Sequence, residues 1–494
     1  MDADVIIIGS GMGGATLAAA LAPSGRRIMI LERGEHLRAS PKDRDAEAIF
    51  GDGAFRPDET WLDGQDRPFN PGNYYNVGGN SKFYGAALIR YRASDFDAVM
   101  HPGGTTPGWP IRYDEIEADY QAAEDMYQVR GQATDDPTEP EHSGNYPHPP
   151  VPDEPDMAAL RARLKDAGLH PSHIPLGVDL TLWLAAGKTT WDAYPNTCGG
   201  KMDAETGGLA RALAHDNVTL TTGVEVEALQ SDAAGRITGV LLKKGLILTA
   251  PLVVVAAGAV QTAALLLRSA NDNCPTGLAN RSDQVGRNFM NHNCSAVLAL
   301  HPFRKNRSIY QKTLMLNDFY QRSNTRPPLG NIQMLGKITG PILAATTPLP
   351  RAVAHWIAAR SFDFYAMSED LANPESRVTL KNGQIKLDWQ RSNWSAHLQL
   401  VRELKRVLRR VGFPIVLSQA FDRRTPSHQC GTARMGDDPA ASVVDSHCRS
   451  HDHPNLFIVD ASVLPTSAAV NPALTIAALA LRAGRHITQT EFAA

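Results

Sequence analysis

The first thirty residues constrain the fold of this chain more than any other stretch. A short apolar run that ends at Ile8 leads into GSGMGG, then into an alanine-rich stretch and a second apolar run that ends at Glu32. This order predicts a strand–turn–helix–strand unit. In such a unit Gly9 permits a tight turn, Gly11 admits a pyrophosphate close to the backbone, and Gly14 lets helix and strand pack closely. The sequence therefore predicts a dinucleotide-binding α/β domain.

The residues that flank this unit indicate how the nucleotide is held. The predicted helix starts near Met12, and its free N–H groups and positive dipole end attract phosphate groups. Glu32 follows Gly14 by 18 residues, a spacing at which its carboxylate accepts hydrogen bonds from ribose hydroxyls and disfavours a 2′-phosphate. Arg33 is a further candidate contact. NAD and FAD fit this unit equally.

A second segment, residues 217–268, favours FAD. Several β-rich runs, one of them beginning near Val226, precede an apolar run at 252–256, a small-residue turn at Ala257–Gly258 and a helix rich in Ala and Leu. A dinucleotide unit followed much later by a β-meander and a returning strand is the layout of FAD-binding domains. We therefore expect a Rossmann-like sheet assembled from distant segments, with Val226, Ala257 and Gly258 near the cofactor.

Composition excludes several classes of protein. The 49 basic and 52 acidic residues nearly cancel, and no block of like charge suggests a nucleic-acid partner or an anionic membrane surface. The five cysteines include no CxxC pair, so neither a metal site nor a disulfide framework is predicted. The chain opens almost directly with a strand and contains no uninterrupted apolar stretch of membrane-spanning length. We expect a cytoplasmic protein.

The middle of the chain predicts a second domain. Period-2 runs between residues 296 and 424 alternate with helical stretches, and one pair of runs flanks Asn382–Gly383, a strong hairpin signal. This pattern predicts a mixed sheet backed by helices, which we interpret as a substrate domain. On one alternating strand, Asn331 and Gln333 are candidates to face substrate hydroxyls. The proline-rich segment 134–155 is expected to run over the surface as a lid or an oligomer arm.

These segments give an interleaved domain organisation. The FAD-binding domain is predicted to comprise residues 1–100, 195–295 and 425–494, and the α+β substrate domain residues 101–194 and 296–424. Between the first predicted strands and the meander, the loop GGNS suits a backbone that passes close to a planar or phosphate-bearing group. This loop adds Gly79, Asn80 and Ser81 to the expected cofactor contacts.

The C-terminal part contains two further motifs. A predicted strand ends at Asp460–Ala461, and a small-residue loop leads to a helix that starts at Pro472, with Asn471 at its N-cap. Free N–H groups in the first turn, near Thr475, would suit the electron-rich edge of a flavin. In the preceding SHQCGTARMG, His428 lies among small residues without helical or strand periodicity. It is either a hydrogen-bonded structural histidine or a base.

Taken together, these motifs resemble those of the glucose–methanol–choline (GMC) flavoprotein oxidoreductases. The resemblance rests on the N-terminal fingerprint, the GGNS loop, VVVAAGAVQTAALLL, HQCGTARMG and IVDASVLPTSAAVNPALTIAALALRAG, in the family's order. Stretches such as YYNVGGNSKFYGAAL and GNIQMLGK look nearest to pyranose oxidases and bacterial glycoside 3-oxidases. The resemblance implies FAD-dependent oxidation of a sugar or glycoside at a ring secondary hydroxyl, C3 or C2. It leaves oxygen or a quinone as the electron acceptor.

The resemblance also implies residue roles. A histidine matching His428 lies at the flavin face, where imidazole, with a pKa near neutrality, takes the hydroxyl proton as hydride leaves. The amide of Asn471 donates to the same oxygen. Some family members attach FAD through a histidine at the position of Phe83, so FAD is expected to be non-covalent here. His292 is interpreted as part of a hydrogen-bond network and is the next residue to test as a base.

Several alternatives remain open at this stage. The chain could instead be an FAD-dependent dehydrogenase of another polyol, such as an inositol, or a flavoprotein without redox chemistry. The pairing of a base with a donor, His428 with Asn471, favours hydride transfer over the non-redox alternative. Cys430 is interpreted as a buried structural thiol, and Arg434 either orients its motif or binds the flavin side.

Overall fold

A computed structural model describes residues 1–133, 136–425 and 428–492. The first two residues of the proline-rich segment and Ser427 of the SHQCGTARMG motif are therefore outside the described ranges. The strands are β1 (Val5–Ile8), β2 (Ile28–Leu31), β3 (Trp61–Asp63), β4 (Pro68–Phe69), β5 (Val99–His101), β6 (Gly104–Thr106), β7 (Pro171–His173), β8 (Val218–Thr221), β9 (Val226–Ser231), β10 (Ile237–Leu242), β11 (Ile247–Leu248), β12 (Leu252–Val255), β13 (Asn293–Leu300), β14 (Leu314–Leu316), β15 (Asn331–Met334), β16 (Ser361–Ser368), β17 (Arg377–Lys381), β18 (Gln384–Asp388), β19 (Ile415–Ala420) and β20 (Leu456–Ile458). The α-helices are α1 (Met12–Leu21), α2 (Tyr113–Met126), α3 (Pro155–Asp166), α4 (Leu180–Ala186), α5 (Ala210–Ala212), α6 (Ala259–Arg268), α7 (Gly340–Thr346), α8 (Arg351–Ala358), α9 (Trp394–Arg410) and α10 (Ala473–Thr490).

The N-terminal unit forms the centre of a five-stranded parallel sheet with the order β20-β12-β1-β2-β8. Val5 of β1 pairs with Leu252 on one side and with Ile28 on the other, so segments more than two hundred residues apart become neighbours. All four residues of β1 are buried because the strand has a partner on each side and helices on its faces. The predicted Rossmann-like domain, assembled from distant segments, is confirmed.

A small antiparallel sheet, β11-β10-β9, accompanies the parallel one. The β9 and β10 strands pair with each other across a turn that contains Gly235, and β11 adds a short third strand. The chain then returns to the parallel sheet through β12, which leads into α6 after Gly258. This is the predicted meander beside a dinucleotide sheet.

A six-stranded antiparallel sheet, β19-β13-β16-β15-β14-β7, forms the centre of the other half. Its long strands β13 and β16 pair over eight residues each, and α9 packs against β13, β16 and β19. The buried side of α9 presents Leu400, Leu404 and Leu408 at spacings of four, as the apolar periodicity predicts. The sequence predicts a mixed sheet backed by helices here. A helix does back the sheet, but the prediction of a mixed sheet is wrong, because each of its strand pairings is antiparallel.

A four-stranded sheet, β17-β18-β3-β4, joins the two predicted domains. The β17–β18 hairpin turns at Asn382 and Gly383, which both have positive φ, 51° and 79°, as a type I′ turn requires. On the other side, Leu387 of β18 pairs with Asp63 of β3. The division at residues 100 and 296 remains a prediction, and this sheet takes strands from both sides of it.

The described part of the proline-rich segment is attached firmly to its surroundings. Asp136 is buried and accepts hydrogen bonds from Arg92 and Asn317, and the carbonyl of Glu141 accepts from Arg90. None of the segment's described residues lines the cavity that contains His428 and Asn471.

No helix among the described residues combines the length and the apolar character needed to cross a bilayer.

Candidate active site

A cavity of about 650 Å³ runs from the carboxyl edge of the parallel sheet to the six-stranded sheet. Its first wall contains the residues that follow β1, β2, β12 and β20, which is the edge where open parallel sheets bind ligands. Its second wall contains residues that follow β15, together with His428 and Asn471. The cavity therefore connects the predicted cofactor contacts with the predicted catalytic pair.

Three glycines of the N-terminal turn are required by the packing of the protein itself. Gly9 has φ +106°, and a Cβ there would lie 2.4 Å from the carbonyl oxygen of Ala256. A Cβ on Gly14 would lie 2.0 Å from the oxygen of Gly9, and one on Gly13 would lie 1.8 Å from the oxygen of Val459. The roles predicted for Gly9 and Gly14 agree with this packing, and Gly13 is a close-contact position that the motif analysis missed.

Gly11 differs from these neighbours. A Cβ at this position would meet nothing within 4 Å, so the protein's own packing leaves room there. Gly11 is the N-cap of α1, and no side chain caps the first turn, which leaves the N–H groups from Met12 onward directed at the cavity. Open space in front of an uncapped helix N-terminus fits the pyrophosphate of a dinucleotide.

The end of β2 supplies the next part of the cofactor edge. Glu32 is buried, with one carboxylate oxygen accepting from the backbone N–H and the hydroxyl of Ser10 and the other accepting from the N–H of Gly34. Its carboxylate is therefore fixed in direction on the cavity wall, as a ribose acceptor must be. Arg33 also lines the cavity, with its guanidinium 3.9 Å from the ring centre of Tyr75.

The remaining predicted cofactor residues lie on the same cavity, with one exception. Asp460 joins two segments of this wall because its Oδ2 accepts from the N–H of Gly258 and from the hydroxyl of Thr262. Thr475 is the exception, since it does not line the cavity and its hydroxyl lies 2.7 Å from that of Tyr120. The predicted residues that line the cavity here are Val226, Ala257, Gly258, Asp460, Ala461 and Pro472.

The GGNS loop closes over the first wall. Gly79 has φ +57° and lies beside Gly11, while Asn80 accepts from the N–H of Tyr74 and Ser81 donates to the carbonyl of Gly78. Gly79, Asn80 and Ser81 all line the cavity. Phe83, which follows them, stacks on Tyr74 with ring centres 3.7 Å apart. A phenyl ring offers no atom for a covalent bond to a flavin.

An antiparallel bridge brings His292 beside His428. Met290 and Cys430 exchange both backbone hydrogen bonds at 3.0 Å, so residues two positions away on each segment lie opposite one another. The Nδ1 atoms of His292 and His428 are 2.8 Å apart. The backbone of His428 has φ +69°, a conformation that is uncommon outside glycine and occurs often at functional sites.

The hydrogen-bond partners determine the tautomers of both rings. Nε2 of His292 lies 2.7 Å from the carbonyl oxygen of Ser467, and because a carbonyl only accepts, this nitrogen bears the proton. Nδ1 of neutral His292 is then an acceptor, so His428 donates from its own Nδ1. Nε2 of His428 consequently bears no proton, and its electron pair accepts a hydrogen bond from the Nδ2 of Asn471 at 3.2 Å.

Burial keeps both rings neutral. It lowers the pKa of His292 to about 4, against which the hydrogen bond to the Ser467 carbonyl acts only partly. Burial also lowers the pKa of His428 well below its usual range, and the nearby His292 and Lys312 lower it further. The expected near-neutral pKa of His428 is therefore wrong, because a largely enclosed imidazole loses the solvation that stabilises its charged form.

Asn471 completes the hydrogen-bonded line but does not cap the helix. The N-cap of α10 is Pro472 and no side chain caps it, which corrects the predicted boundary by one residue and removes the capping role of Asn471. The Oδ1 of Asn471 instead accepts from Nε2 of Gln333 at 2.9 Å, and this bond orients its amide hydrogens towards His428. Asn471 is thus held as a donor at the atom that bears the electron pair.

Gln333 and Asn331 lie behind the cavity and not on its wall. Both are fully buried on β15, and Gln333 donates to Asn331 as well as to Asn471, while Asn331 donates to Asn317. Their predicted contact with substrate hydroxyls is not what this structure shows, because both amides face the interior of the protein. Alternation along the strand identified the shared face correctly but could not tell whether that face meets a ligand or other side chains.

The two neighbours of His428 in the motif have structural surroundings. Cys430 is buried, and burial raises the pKa of its thiol well above the usual range, in line with the structural role predicted for it. Arg434 donates to the carbonyl of Ala441 and does not line the cavity, so it orients its own loop. Two cavity residues that sequence analysis missed are Asp192 and Lys312, for which no spacing or motif gives a signal.

Models of known families match three parts of the chain. Residues 186–294 and 373–480 each match a model described as GMC oxidoreductase, and residues 7–55 match an NAD(P)-binding Rossmann-like domain. The first pair includes His292, His428 and Asn471, and the third includes the glycine turn. The matches therefore extend over both walls of the cavity.

Individual proteins are similar over most or part of the chain. The 6‴-hydroxyparomomycin C oxidase of Streptomyces lividus is 29% identical over 98% of this chain and 91% of its own. The C-glycoside 3-oxidase of Arthrobacter globiformis is 37% identical over 90 residues, 18% of this chain and 17% of its own. The crystal structure of pyridoxine 4-oxidase from Mesorbium loti covers 99% of both chains with a TM-score of 0.69 at 21% identity, which shows a shared fold.

Proposed function

Since the chain belongs to the GMC oxidoreductase family, whose members are FAD flavoproteins acting on CH–OH groups, we propose that it oxidises a sugar or glycoside at a ring secondary hydroxyl, C3 or C2. The observation that carries the proposal is the electron pair on Nε2 of His428, fixed in tautomer by His292 and facing Asn471 at 3.2 Å. A neutral imidazole at the cavity wall is what removal of a hydroxyl proton requires.

The cofactor contacts belong to the first wall. Gly11, the first turn of α1 and the fixed carboxylate of Glu32 would hold the pyrophosphate and the adenosine ribose of FAD. The GGNS loop and the start of α10 would enclose the flavin end beside His428. When bound, FAD supplies the hydride acceptor that the protein's own side chains lack.

The catalytic pair then acts on the hydroxyl of the substrate. In the free protein the amide of Asn471 donates a hydrogen bond to Nε2 of His428. A substrate hydroxyl would replace it as donor to Nε2, and the released amide hydrogen would donate to the same substrate oxygen as negative charge develops there. Gln333 holds Asn471 in this orientation, and the Ser467 carbonyl, acting through His292, keeps Nε2 of His428 as the acceptor.

The names of two similar proteins support a carbohydrate substrate. An oxidase named for hydroxyparomomycin matches nearly the whole chain, and one named for C-glycosides at position 3 matches part of it, which supports a carbohydrate hydroxyl as substrate. Oxidation at C3 agrees with the name of the second relative. Oxygen or a quinone would be the electron acceptor. An FAD-dependent dehydrogenase of another polyol, such as an inositol, is the alternative, and a non-redox flavoprotein is disfavoured by the prepared base.

The proposal includes a non-covalent cofactor, because Phe83 cannot form a histidyl bond. Denaturation of the holoenzyme with acid should therefore release FAD into the supernatant, where its absorption and mass identify it. Flavin that stays with the precipitated polypeptide would contradict this part of the proposal.

The activity is tested by anaerobic bleaching of the flavin. Monosaccharides, methyl glycosides, inositols and simple alcohols are mixed with the holoenzyme, and the fall in visible absorption is followed by stopped flow. Products are then identified by NMR, which distinguishes a 3-keto from a 2-keto sugar. Reduction by a sugar or glycoside with a ketone at C3 or C2 supports the proposal, and reduction by inositols alone supports the alternative.

A further inference from the structure

An ion pair forms part of the cavity wall near His428 and is not used by the chemistry described so far. Nζ of Lys312 lies 3.1 Å from Oδ2 of Asp192, and both residues line the cavity. The same Oδ2 accepts from the N–H of Gly336 at 2.9 Å, and Nζ also donates to the carbonyl of Met334 at 3.4 Å. One carboxylate oxygen is thus fixed by two donors.

Two glycines make room for this pair. A Cβ on Gly85 would lie 2.5 Å from Oδ1 of Asp192 and 2.9 Å from Nζ of Lys312, so the pair packs directly on the backbone of the loop that follows Phe83. A Cβ on Gly336 would lie 2.6 Å from Cβ of Asp192. The pair and its surroundings therefore come from four separate segments. Two of them carry Asp192 and Lys312, and the other two have a glycine where a Cβ would collide with the pair.

The second carboxylate oxygen is free to bind a ligand. Oδ1 of Asp192 has no hydrogen-bond partner among the described residues, and the side chain keeps 16% of its surface exposed.

The ion pair is also close to the proposed catalytic residues. Gln333, which holds Asn471, and Gly336, which holds Asp192, are three residues apart, a span of at most about 10 Å in extended chain.

The charge of the pair limits what Oδ1 can bind. Lys312 already compensates the charge of Asp192, so a cationic group at Oδ1 would meet the Lys312 ammonium only a few ångströms away. Two like charges at that separation repel by several kcal/mol in a partly enclosed site. A neutral donor, such as a hydroxyl, meets no such repulsion and gains a charge-assisted hydrogen bond.

We propose that Asp192 and Lys312 form a hydroxyl-binding subsite. It selects a neutral polyol, which carries a second hydroxyl in addition to the oxidised one, over monoalcohols and over amino-substituted analogues. Oδ1 of Asp192 accepts the hydrogen of this second hydroxyl, and Lys312 holds the carboxylate in place. The inference rests on the proposed function and narrows its substrate class. Asp192 would then determine substrate specificity from a position separate from the proposed base, His428, and the proposed donor, Asn471.

The test uses anaerobic flavin reduction in the holoenzyme. Methyl β-D-glucopyranoside is compared with its 2-, 3-, 4- and 6-deoxy analogues and with the 2-amino-2-deoxy analogue. In the wild-type enzyme, one deoxy analogue other than the one that lacks the oxidised hydroxyl should lose about tenfold to a hundredfold in reduction efficiency. In Asp192→Asn the parent glycoside should fall by a similar factor, and the penalty for that deoxy analogue should nearly disappear.

Asp153→Asn serves as the matched control. Asp153 pairs with Arg161 at 2.6 Å and accepts from Thr313, the neighbour of Lys312, but it does not line the cavity. This variant should change thermal stability without changing the ratio between parent and deoxy substrates. Equal losses for parent and deoxy analogues in Asp192→Asn would overturn the subsite and leave a purely structural ion pair.

The remaining outcomes separate this inference from the function on which it rests. Wild-type enzyme that discriminates against none of the deoxy analogues overturns the subsite while sugar oxidation stands. So does wild-type enzyme that discriminates against the 2-deoxy analogue and yet prefers the 2-amino analogue. If Asp192→Asn does not retain FAD, the wild-type comparison can still overturn the subsite, because an enzyme that reduces its flavin equally with every deoxy analogue makes no such contact. Flavin that no sugar or glycoside reduces overturns the proposed function, and the subsite with it.

Discussion

The two walls of the cavity are built in opposite ways. On the cofactor wall the contacts are mostly backbone: Gly9, Gly13 and Gly14 pack against carbonyl groups, and Gly11 borders open space. On the second wall, which contains His428 and Asn471, the contacts are between side chains. They run in one hydrogen-bonded line that starts behind the wall at Gln333 and passes through Asn471 to the two histidines. At Gly9, Gly13 and Gly14 the first wall has no room for an added atom. The second wall depends on every donor and acceptor of its hydrogen-bonded line.

This difference predicts two kinds of failure. A change on the cofactor wall should act on folding or on FAD retention, because its glycines are fixed by close approach of the backbone. A change along the hydrogen-bonded line should leave FAD bound and slow the reaction, because these groups orient the base and the donor. Four substitution experiments test this division.

The largest effect is expected from Gly13→Ala, compared with Gly11→Ala. A Cβ on Gly13 would overlap the carbonyl of Val459 at 1.8 Å, so little folded, flavin-containing protein should be recovered. A Cβ on Gly11 meets nothing within 4 Å, so this variant should fold normally yet bind FAD at least about tenfold more weakly. Thermal unfolding and FAD titration of the two apoproteins measure the contrast. A Gly11→Ala apoprotein that binds FAD as tightly as the native apoprotein would remove the cofactor role of Gly11.

His428→Ala should retain FAD and slow its reduction by about 10²–10⁴, the usual contribution of a positioned base. The rate is measured by anaerobic stopped flow with saturating glycoside, and the flavin content by absorption. A variant that reduces its flavin within a few-fold of the native rate would show that the base lies elsewhere. His292 would be the next candidate.

Asn471→Ala should retain FAD and slow reduction by about 10²–10³ if, as proposed, its amide stabilises the charge that develops on the substrate oxygen. The start of α10 should not be weakened by loss of a cap, since no side chain caps that helix. Rates are measured as for His428→Ala, with circular dichroism as the control for helix content. A native rate with weaker substrate binding would assign Asn471 to positioning alone.

His292→Phe should give a smaller loss, about tenfold to a hundredfold, because it removes the acceptor that fixes the tautomer of His428 and leaves the base itself in place. His292→Gln, whose amide offers both an acceptor and a donor, should recover much of the rate. The flavin should remain bound in both variants. Equal losses in the two variants would point to packing and not to the tautomer.

The same pair of rings predicts how rate and stability depend on pH. Because the pKa of His428 lies well below its usual range, the native rate should be flat from pH 6.5 upward and fall only in more acidic solution. Unfolded histidine takes up its proton near pH 6.5, whereas His292 stays neutral to about pH 4. The stability that depends on neutral His292 is therefore present above pH 6.5 and is lost as the pH falls towards 4. Thermal unfolding between pH 4 and 8 should show a shallower acid loss in His292→Phe.

The sequence predicted the cofactor wall better than the catalytic one, for a physical reason. Glycines that admit close backbone contacts lie at fixed spacings within one short unit, so the residue pattern alone locates the turn, α1 and β2. The partnership of His292 with His428 depends on a bridge between Met290 and Cys430 that joins segments 140 residues apart. Likewise, Gln333 was found on the correct strand, but which side chain it would meet depends on packing between sheets.

The hydrogen-bonded line also has a direction. From Asn471 to His428 to His292 each group donates to the next, and the last acceptor is the carbonyl of Ser467, which cannot take up a proton. A proton that enters at Nε2 of His428 can be shared with His292 but has no exit to solvent along this route. It must leave through the cavity by which the substrate arrived. Among the described residues, the two imidazoles therefore form the closed end of a proton path whose exit is the substrate cavity.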